Sequence, residues 1–273
     1  MANNIWQGAD GNWDTVTNWS LGTKAAAGED IFLTDSSQDI SSGHTNEDAV
    51  ALASLRVDRT YTGKVGQTGS SLTIDVTGTM WIYSGGAEFW WSGDCPTIYV
   101  NTAGIGSNAC VLDCQGVDTN DLYVEGGRCT LPGTATVVNA HVVGSGSRLV
   151  TVNGLTLTTL NLRHGSVDNA ASFTTANVDA GQINHTAGTG ATLNLNGGTC
   201  VWTGGLLTNI YVNKGGYLDA SGLKAPLASD PTIYIGDGAR VNLRTGMNLL
   251  QDAVLNVVGK PSQLLVDSGS TWT

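Results

Sequence analysis

The chain has 273 residues, a net charge of −11, and charged side chains at only 13% of its positions. Its 12 basic residues are scattered, which argues against nucleic-acid partners, because contacts with a phosphate backbone need clustered Lys and Arg. Its 37 glycines, 5 prolines and 41% hydrophobic residues are typical of a strand-rich chain rather than a helical or disordered one.

The start of the chain favours synthesis in the cytoplasm. The opening MANNIWQG has neither the basic nor the apolar stretch of a secretory signal. No run approaches the roughly 18 apolar residues of a membrane-spanning helix. The sequence therefore predicts no membrane partner.

The N-terminal segment, residues 1–45, differs in composition from the rest of the chain. Trp6, Trp13 and Trp19 fall within fourteen residues and bring a large apolar area to a segment with little other hydrophobic content. They can serve as an irregular cap over the first coil of a repeat structure. Alternatively, they form an aromatic surface that binds a partner or a sugar.

This segment resembles the opening of known β-helical proteins. Its pattern W-x-G-x-x-G-x-W from Trp6, then NWS at 18–20 and G-x-D at 28–30, is similar to the segment before the β-helical regions of autotransporter-like surface proteins. It is also similar to the start of many β-helical structural proteins of bacteriophages. The resemblance covers residues 6–33. It implies a virion protein of the head decoration or cement type, and analogy with such proteins implies a homotrimer.

Alternating apolar residues begin near Val50 and predict strands with one face turned inward. Phe89, Trp90 and Trp91 then follow in a row. Because adjacent side chains of a strand point to opposite faces, we expect Trp90 or Trp91 to point outward, into a subunit contact or against a glycan.

The cysteines suggest a local coil length. Cys95 and Cys114 are 19 residues apart, as are Cys110 and Cys129, which predicts two stacks of side chains one coil apart. With Cys200 the total is odd, and cytoplasmic synthesis favours buried, reduced thiols. No histidine lies close to this group in sequence, so we expect neither a metal nor a cofactor.

One short phrase repeats from Asp121 to Val258. Each copy has an apolar residue first, Tyr or Asn second, an apolar residue third and glycine sixth. The copies are LYVEGG at Leu122, LNLRHG at Leu160, ANVDAG at Ala176, LNLNGG at Leu193, IYVNKG at Ile210 and IYIGDG at Ile233.

The spacing of these copies predicts the fold. They start 38, 16, 17, 17 and 23 residues apart, and 38 is two steps of 19 if AHVVGSG at 140–146 is a degenerate copy. This period predicts an all-β protein, a single-stranded right-handed parallel β-helix (β-solenoid) over residues 46–273 with about 17–23 residues per coil. An insertion at 223–231 predicts a surface loop suited to binding.

Motifs that indicate catalysis are absent from the sequence. The histidines occur singly, and no nucleophile elbow, zinc-protease, P-loop or dinucleotide motif is present. The densest acidic group is Asp113, Asp118, Asp121 and Glu125, but carboxylates one coil apart arise by chance in any solenoid. The sequence thus predicts a protein without catalytic residues.

The expected function is that of a structural virion protein on the phage head. Its predicted partners are the major capsid protein and further copies of itself, through Trp6, Trp13, Trp19, Phe89, Trp90 and Trp91. Two alternatives use the same fold: a tail spike, receptor-binding protein or adhesin that binds glycan, and a polysaccharide-degrading enzyme.

Overall fold

A computed structural model of the chain describes residues 2–45, 47–83, 88–102, 110–114, 120–133, 135–223, 229, 231–244 and 254–266. Across these residues it has one 3-10 helix, Val16–Asn18, and 22 strands. None of the helical structure in the described ranges is long and apolar enough to cross a membrane.

The first ten strands are β1 (Asn3–Trp6), β2 (Asp30–Leu33), β3 (Glu47–Val57), β4 (Leu72–Ile82), β5 (Phe89–Gly93), β6 (Thr97–Asn101), β7 (Cys110–Cys114), β8 (Asp121–Leu131), β9 (Thr136–Val142) and β10 (Ser147–Thr151). The remainder are β11 (Thr156–Leu162), β12 (Ser166–Asn169), β13 (Ser172–Val178), β14 (Gln182–His185), β15 (Thr189–Leu195), β16 (Thr199–Trp202), β17 (Leu206–Val212), β18 (Tyr217–Asp219), β19 (Thr232–Ile235), β20 (Arg240–Asn242), β21 (Val254–Val257) and β22 (Gln263–Leu265).

The chain divides into two compact units. Unit 1 comprises Met1–Ala140 and Gly146–Val150, and unit 2 comprises His141–Ser145 and Thr151–Thr273. Each unit is a parallel β-solenoid, which confirms the predicted fold class. The right-handedness of the coil stays a prediction.

Two rows of parallel strands build unit 1. One row runs β1, β2, β3, β4, β6 and β8. The other runs β4, β5, β7 and β8, because the 11-residue strands β4 and β8 each pair at both ends. Ile31, Leu55, Met80, Ile98 and Leu122 occupy equivalent register positions in the first row. Their spacings of 24, 25, 18 and 24 residues extend slightly beyond the predicted 17–23.

Unit 2 has the regular coil that the sequence predicts. One row contains β11, β13, β15, β17, β19 and β21, and the other contains β12, β14, β16, β18, β20 and β22. Leu160, Ala176, Leu193, Ile210 and Ile233 lie directly in register with one another. The repeated phrase therefore marks one strand per coil, as expected.

Within the phrase, the position of a residue decides whether its side chain is buried or faces outward. The first and third residues are buried, whereas the Tyr or Asn between them faces outward, for example in β13 and β15. Five of the six glycines have positive φ, the backbone region that glycine adopts without steric cost. Gly198 is the exception: a Cβ there would lie 2.4 Å from Cγ1 of Val178, so close packing requires this glycine.

One of the two predicted cysteine stacks is present. Cys110 is in register with Cys129, as predicted, but Cys114 pairs with Gly93 rather than with Cys95. The Cys95 thiol instead donates to the carbonyl of Thr97 at 3.2 Å. All five cysteines are buried thiols outside any disulfide bond, and burial raises the pKa of Cys95 to about 12, which keeps this thiol protonated.

The N-terminal segment is continuous with the sheet of unit 1. β1 pairs with β2, and β2 pairs with β3. The division predicted between residues 45 and 46 therefore separates strands that share one row of hydrogen bonds.

Candidate interaction surface

Trp6, Trp13 and Trp19 form one closed aromatic cluster. Their ring centroids are 4.7 to 6.2 Å apart, with two edge-to-face pairs and one stacked pair. None is more than 2% exposed, and Nε1 of Trp19 donates to the carbonyl of Trp13 at 2.8 Å. Each ring buries roughly 200 Å², so the cluster is a small hydrophobic core in its own right.

The polar residues of the motif hold the loop around this cluster. Asn18 is fully buried; its Oδ1 accepts from the amide of Ala9 at 2.7 Å, and its Nδ2 donates to Asp10 Oδ1 at 2.6 Å and to the carbonyl of Asn12. The bond from Asn18 lowers the pKa of the Asp10 carboxyl. These contacts explain why Asp10 and Asn18 accompany the tryptophans in the sequence motif.

The loop after the cluster covers the outer edge of β1. Ser20 donates its amide to the carbonyl of Ile5 and accepts from the amide of Ile5 through its hydroxyl, both at 2.9 Å. Gln7 donates to the carbonyl of Asn18 at 2.7 Å. An unpaired strand edge can recruit another chain, and these bonds satisfy the backbone internally at Ile5 and Gln7.

Partner binding through the three tryptophan rings is therefore not available in this conformation, because the rings offer no free area. The apolar surface of the segment comes from other residues that the sequence analysis did not single out. Ile5, Val16 and Leu21 are 38%, 50% and 47% exposed. We call these three residues the N-terminal apolar patch.

Phe89, Trp90 and Trp91 alternate as the sequence predicts. Phe89 and Trp91 are buried, and Nε1 of Trp91 donates to the carbonyl of Ile74 at 2.9 Å. Trp90 faces outward and is half-buried, with its Nε1 3.4 Å from a carboxylate oxygen of Glu88. Of the three, only Trp90 presents a ring at the surface.

A larger group of outward aromatic side chains lies elsewhere in unit 1, on its first row of strands. Outward side chains stack in register one coil apart, and all are large: Phe32, Arg56, Trp81, Tyr99 and Tyr123. We call this set the aromatic column. Arg56 is exposed and the four rings are half-buried. The Tyr99 and Tyr123 rings are stacked, with centroids 4.9 Å apart and planes 13° apart.

Charges of both signs flank the aromatic column. Arg56 Nε donates to Asp58 Oδ1 at 2.7 Å, in an ion pair whose side chains are 47% and 29% exposed. Partial burial and the nearby Glu125 carboxylate raise the pKa of the half-buried Tyr83 hydroxyl, while Arg56 and Arg59 oppose that rise. Besides Asp58 and Glu125, the carboxylates of Asp30 and Asp121 lie on this outward face, so acidic groups outnumber the two guanidinium groups there.

Unit 2 uses the equivalent outward positions differently. Asn194 donates to Asn177 at 2.8 Å, Asn177 donates to Asn161 at 2.9 Å, and Asn161 lies 3.2 Å from Nδ1 of His141. We call this series the asparagine ladder. It continues as Tyr211 and Tyr234, which stack with centroids 4.5 Å apart and planes 4° apart.

The acidic residues that could support catalysis are divided between strands. Asp113 lies in β7, whereas Asp121 and Glu125 lie in β8. Asp118 falls outside the described residues. Within the described part of the chain, no three His, Cys, Asp or Glu side chains are grouped to hold a metal ion.

Little of the insertion at 223–231 can be placed. Leu223, Ser229 and Pro231 are described, and the other six residues of the predicted loop lie outside the described ranges. Leu223 is buried, at 8% exposure. The predicted binding role of this loop stays a prediction.

Comparisons with protein-family models, curated proteins and solved structures find no match to this chain. Functional inference therefore rests on the two solenoid units, the N-terminal apolar patch and the aromatic column.

Proposed function

We propose that this chain is a structural virion protein, a decoration or cement protein that binds the major capsid protein of a phage head as a homotrimer. The observation that carries the proposal is the asparagine ladder, in which outward amides bond to their counterparts one coil away. Hydrogen bonds between adjacent coils resist unfolding along the solenoid. A protein that reinforces an assembled shell benefits from such resistance.

The N-terminal apolar patch is the surface that we assign to the capsid contact. Val16 and Leu21 are about half exposed and lie within three residues of Trp19 along the chain, which is part of the buried tryptophan cluster. Burying apolar side chains of this size against a partner contributes roughly 1 to 3 kcal/mol each. The tryptophans then have a positioning role beneath the contact.

Co-sedimentation with empty shells tests this proposal. The shells are assembled from the major capsid protein of the same genome, and the double variant Val16→Asp, Leu21→Asp is compared with wild type. We expect the variant to lose at least about tenfold in affinity, because two desolvated apolar contacts are replaced by charges.

A matched control is available in unit 2. Val257 and Val258 are 50% and 78% exposed, so Val257→Asp, Val258→Asp adds the same charge at comparable exposure. This control should bind shells like wild type. Wild-type protein that stays in the supernatant would show the proposed function to be wrong.

Glycan binding is a second candidate, favoured by the outward, half-buried ring of Trp90 and by the aromatic column. The stacked Tyr99 and Tyr123 rings turn their faces toward each other, which leaves mainly ring edges for a sugar. Sugars stack on ring faces, so we place this function second. Retarded migration in gels that contain laminarin, dextran or galactomannan would support it, with Trp90→Ala abolishing the shift.

A further inference from the structure

We propose that one sheet face of unit 2 binds ice. Each of the strands β11, β13 and β15 contributes an outward threonine, a buried apolar residue and an outward asparagine to this face. We call it the threonine–asparagine face, and its outward residues are Thr159, Asn161, Thr175, Asn177, Thr192 and Asn194. The inference goes beyond the proposed function and does not depend on it.

The threonine–asparagine face is regular in two directions. Thr159, Thr175 and Thr192 lie in register in one line across the strands, and the three asparagines form a second line. Neighbouring strands are about 4.8 Å apart, and residues two positions apart in a strand are roughly 6.6 Å apart. The hydroxyl and amide groups of the six side chains therefore form a two-dimensional array.

The asparagine ladder fixes one side of this array. Asn177 donates to Asn161 at 2.9 Å and accepts from Asn194 at 2.8 Å, so the amides are held in one orientation. Side-chain ladders of this kind favour a flat sheet. All six residues of the face are half-buried, which limits their rotamer freedom. The face therefore needs little rearrangement to meet an ordered ligand.

The threonine–asparagine face is uncharged, although the chain has a net charge of −11. Strands β11, β13, β15 and β17 contain no Asp, Glu, Lys or Arg. Charged residues of these coils follow the strands, at the turns, where Arg163 and Asp179 are exposed. A nucleic acid needs clustered basic groups, and a charged protein surface needs opposite charges. The face therefore suits a neutral ligand.

The residue types of the face favour water over other neutral ligands. Protein interfaces depend most on Trp, Tyr and Arg, whereas Thr is under-represented among the residues that contribute strongly to affinity. Small organic ligands, including sugars, bind in concave sites with apolar and aromatic walls. The six residues of the face include no aromatic ring, and they lie on a sheet.

Water can be ordered by this array. Threonine and asparagine side chains both donate and accept hydrogen bonds, and waters that bridge such groups are held nearly as well as by direct bonds. The methyl group beside each threonine hydroxyl restricts the orientation of adjacent waters. Oxygen atoms in hexagonal ice also repeat at regular, comparable intervals in two directions, so waters ordered by the face can join the surface of a crystal.

Partition of the purified full-length chain into growing ice tests the inference. Ice is grown slowly on a cooled probe, and the protein concentration in the ice is compared with that in the liquid. We expect wild type to be enriched in the ice and to inhibit recrystallisation in frozen sucrose solution. Thr175→Lys should reduce the enrichment at least about tenfold, because a charged side chain at the centre of the face loses its hydration where it meets the crystal.

A matched control lies on the other row of strands. Thr199 is an outward, half-buried residue of β16, so Thr199→Lys adds the same charge at comparable exposure and should bind ice like wild type. Thr192→Lys is a second variant within the face and should lose ice binding as Thr175→Lys does. Urea unfolding of all three variants shows that each is folded.

Exclusion of wild type from the growing ice would overturn the inference, as would enrichment of both Thr175→Lys and Thr192→Lys at the wild-type level. Retardation of wild type in dextran gels without enrichment in ice would assign the face to a neutral polysaccharide and would also overturn it. Capsid co-sedimentation tests the proposed function separately, so the failure of one proposal can be distinguished from the failure of the other.

Discussion

His185 has the most unusual environment of the four histidines. It is fully buried, its Nδ1 lies 2.9 Å from the Asn169 amide nitrogen, and Nε2 is buried without a hydrogen-bond partner. Phe173 packs edge-on against the ring at 5.6 Å, and Trp202 is its register neighbour. Desolvation lowers the pKa of His185 from 6.5 to about 4, because the apolar surroundings disfavour the imidazolium.

This environment predicts that acid destabilises the fold. Between pH 6.5 and about 4 the unfolded chain binds a proton at residue 185 that the folded chain does not. The contribution of His185 to the free energy of unfolding is therefore complete above pH 6.5. It decreases as the pH falls, by about 3 kcal/mol between pH 6.5 and about 4. Urea unfolding of wild type and His185→Gln at pH 7.5 and pH 4.5 measures it.

Acid affects other ionisable groups of a protein as well, so the useful quantity is the difference between the two proteins. Wild type should lose more stability than His185→Gln on acidification. His164→Gln, at an exposed histidine, should behave like wild type. Equal losses for wild type and His185→Gln would contradict the prediction.

At the scale of single elements, the strands of unit 2 are stabilised on both faces. Inward residues such as Leu160, Ala176 and Leu193 are buried, and the outward amides between the strands form the asparagine ladder. Asn177 is central, since it donates to Asn161 and accepts from Asn194. Each such bond contributes roughly 0.5 to 1.5 kcal/mol net.

Asn177→Ala should therefore reduce the free energy of unfolding by about 1 to 2 kcal/mol, since two bonds are lost at a half-buried position. Asn209→Ala is the control, because Asn209 makes one bond of 3.3 Å to the carbonyl of Ala191 and should cost about 0.5 kcal/mol or less. Chemical denaturation of both variants provides the comparison. A loss no larger for Asn177→Ala than for the control would argue against a stabilising ladder.

At the scale of the whole molecule, net charge governs assembly. Copies that each bear −11 repel over the Debye length, and salt screens this repulsion. If copies associate as the proposed homotrimer requires, salt weakens the main electrostatic term between them, which is repulsion between like net charges. Self-association should consequently strengthen with ionic strength.

Sedimentation velocity at about 20 mM and about 300 mM NaCl measures this effect, and we expect a larger association constant at the higher salt concentration. Two patches of opposite sign would produce the reverse trend, because salt weakens their attraction. A decrease in association with salt would therefore show that attraction between opposite charges, and not repulsion between like net charges, dominates the contact.

The regular part of the molecule was predictable because its signal is local. Alternation placed Leu193 and Leu195 inward and Asn194 outward, and the glycine of each phrase marked the turn.

The aromatic column was missed although the sequence contains a pattern that indicates it. In each strand of the first row, an apolar residue is followed by a large one and then by another apolar one. These triplets begin at Ile31, Leu55, Met80, Ile98 and Leu122. Because their spacing varies from 18 to 25 residues, the sequence alone did not reveal that they share one register.

In the N-terminal segment, the sequence identified the important residues but did not predict whether they are buried. Sequence identified Trp6, Trp13 and Trp19 as a group, yet composition alone allowed either a buried cluster or a binding surface. In the structure they are buried, and the side chain of Asn18 makes three hydrogen bonds within the loop around them. Such bonds between residues distant along the segment carry no periodic signature.

The sequence by itself determined the all-β class, the parallel solenoid and the coil positions of unit 2, because strand period and turn glycines are properties of neighbouring residues. Only the tertiary structure decided which aromatic side chains are buried and which are partly exposed. Trp13 is buried and Trp81 is half-exposed, although both are tryptophans in glycine-rich surroundings. Exposure depends on what the rest of the chain packs against a side chain, and in this molecule it determines where a partner can bind.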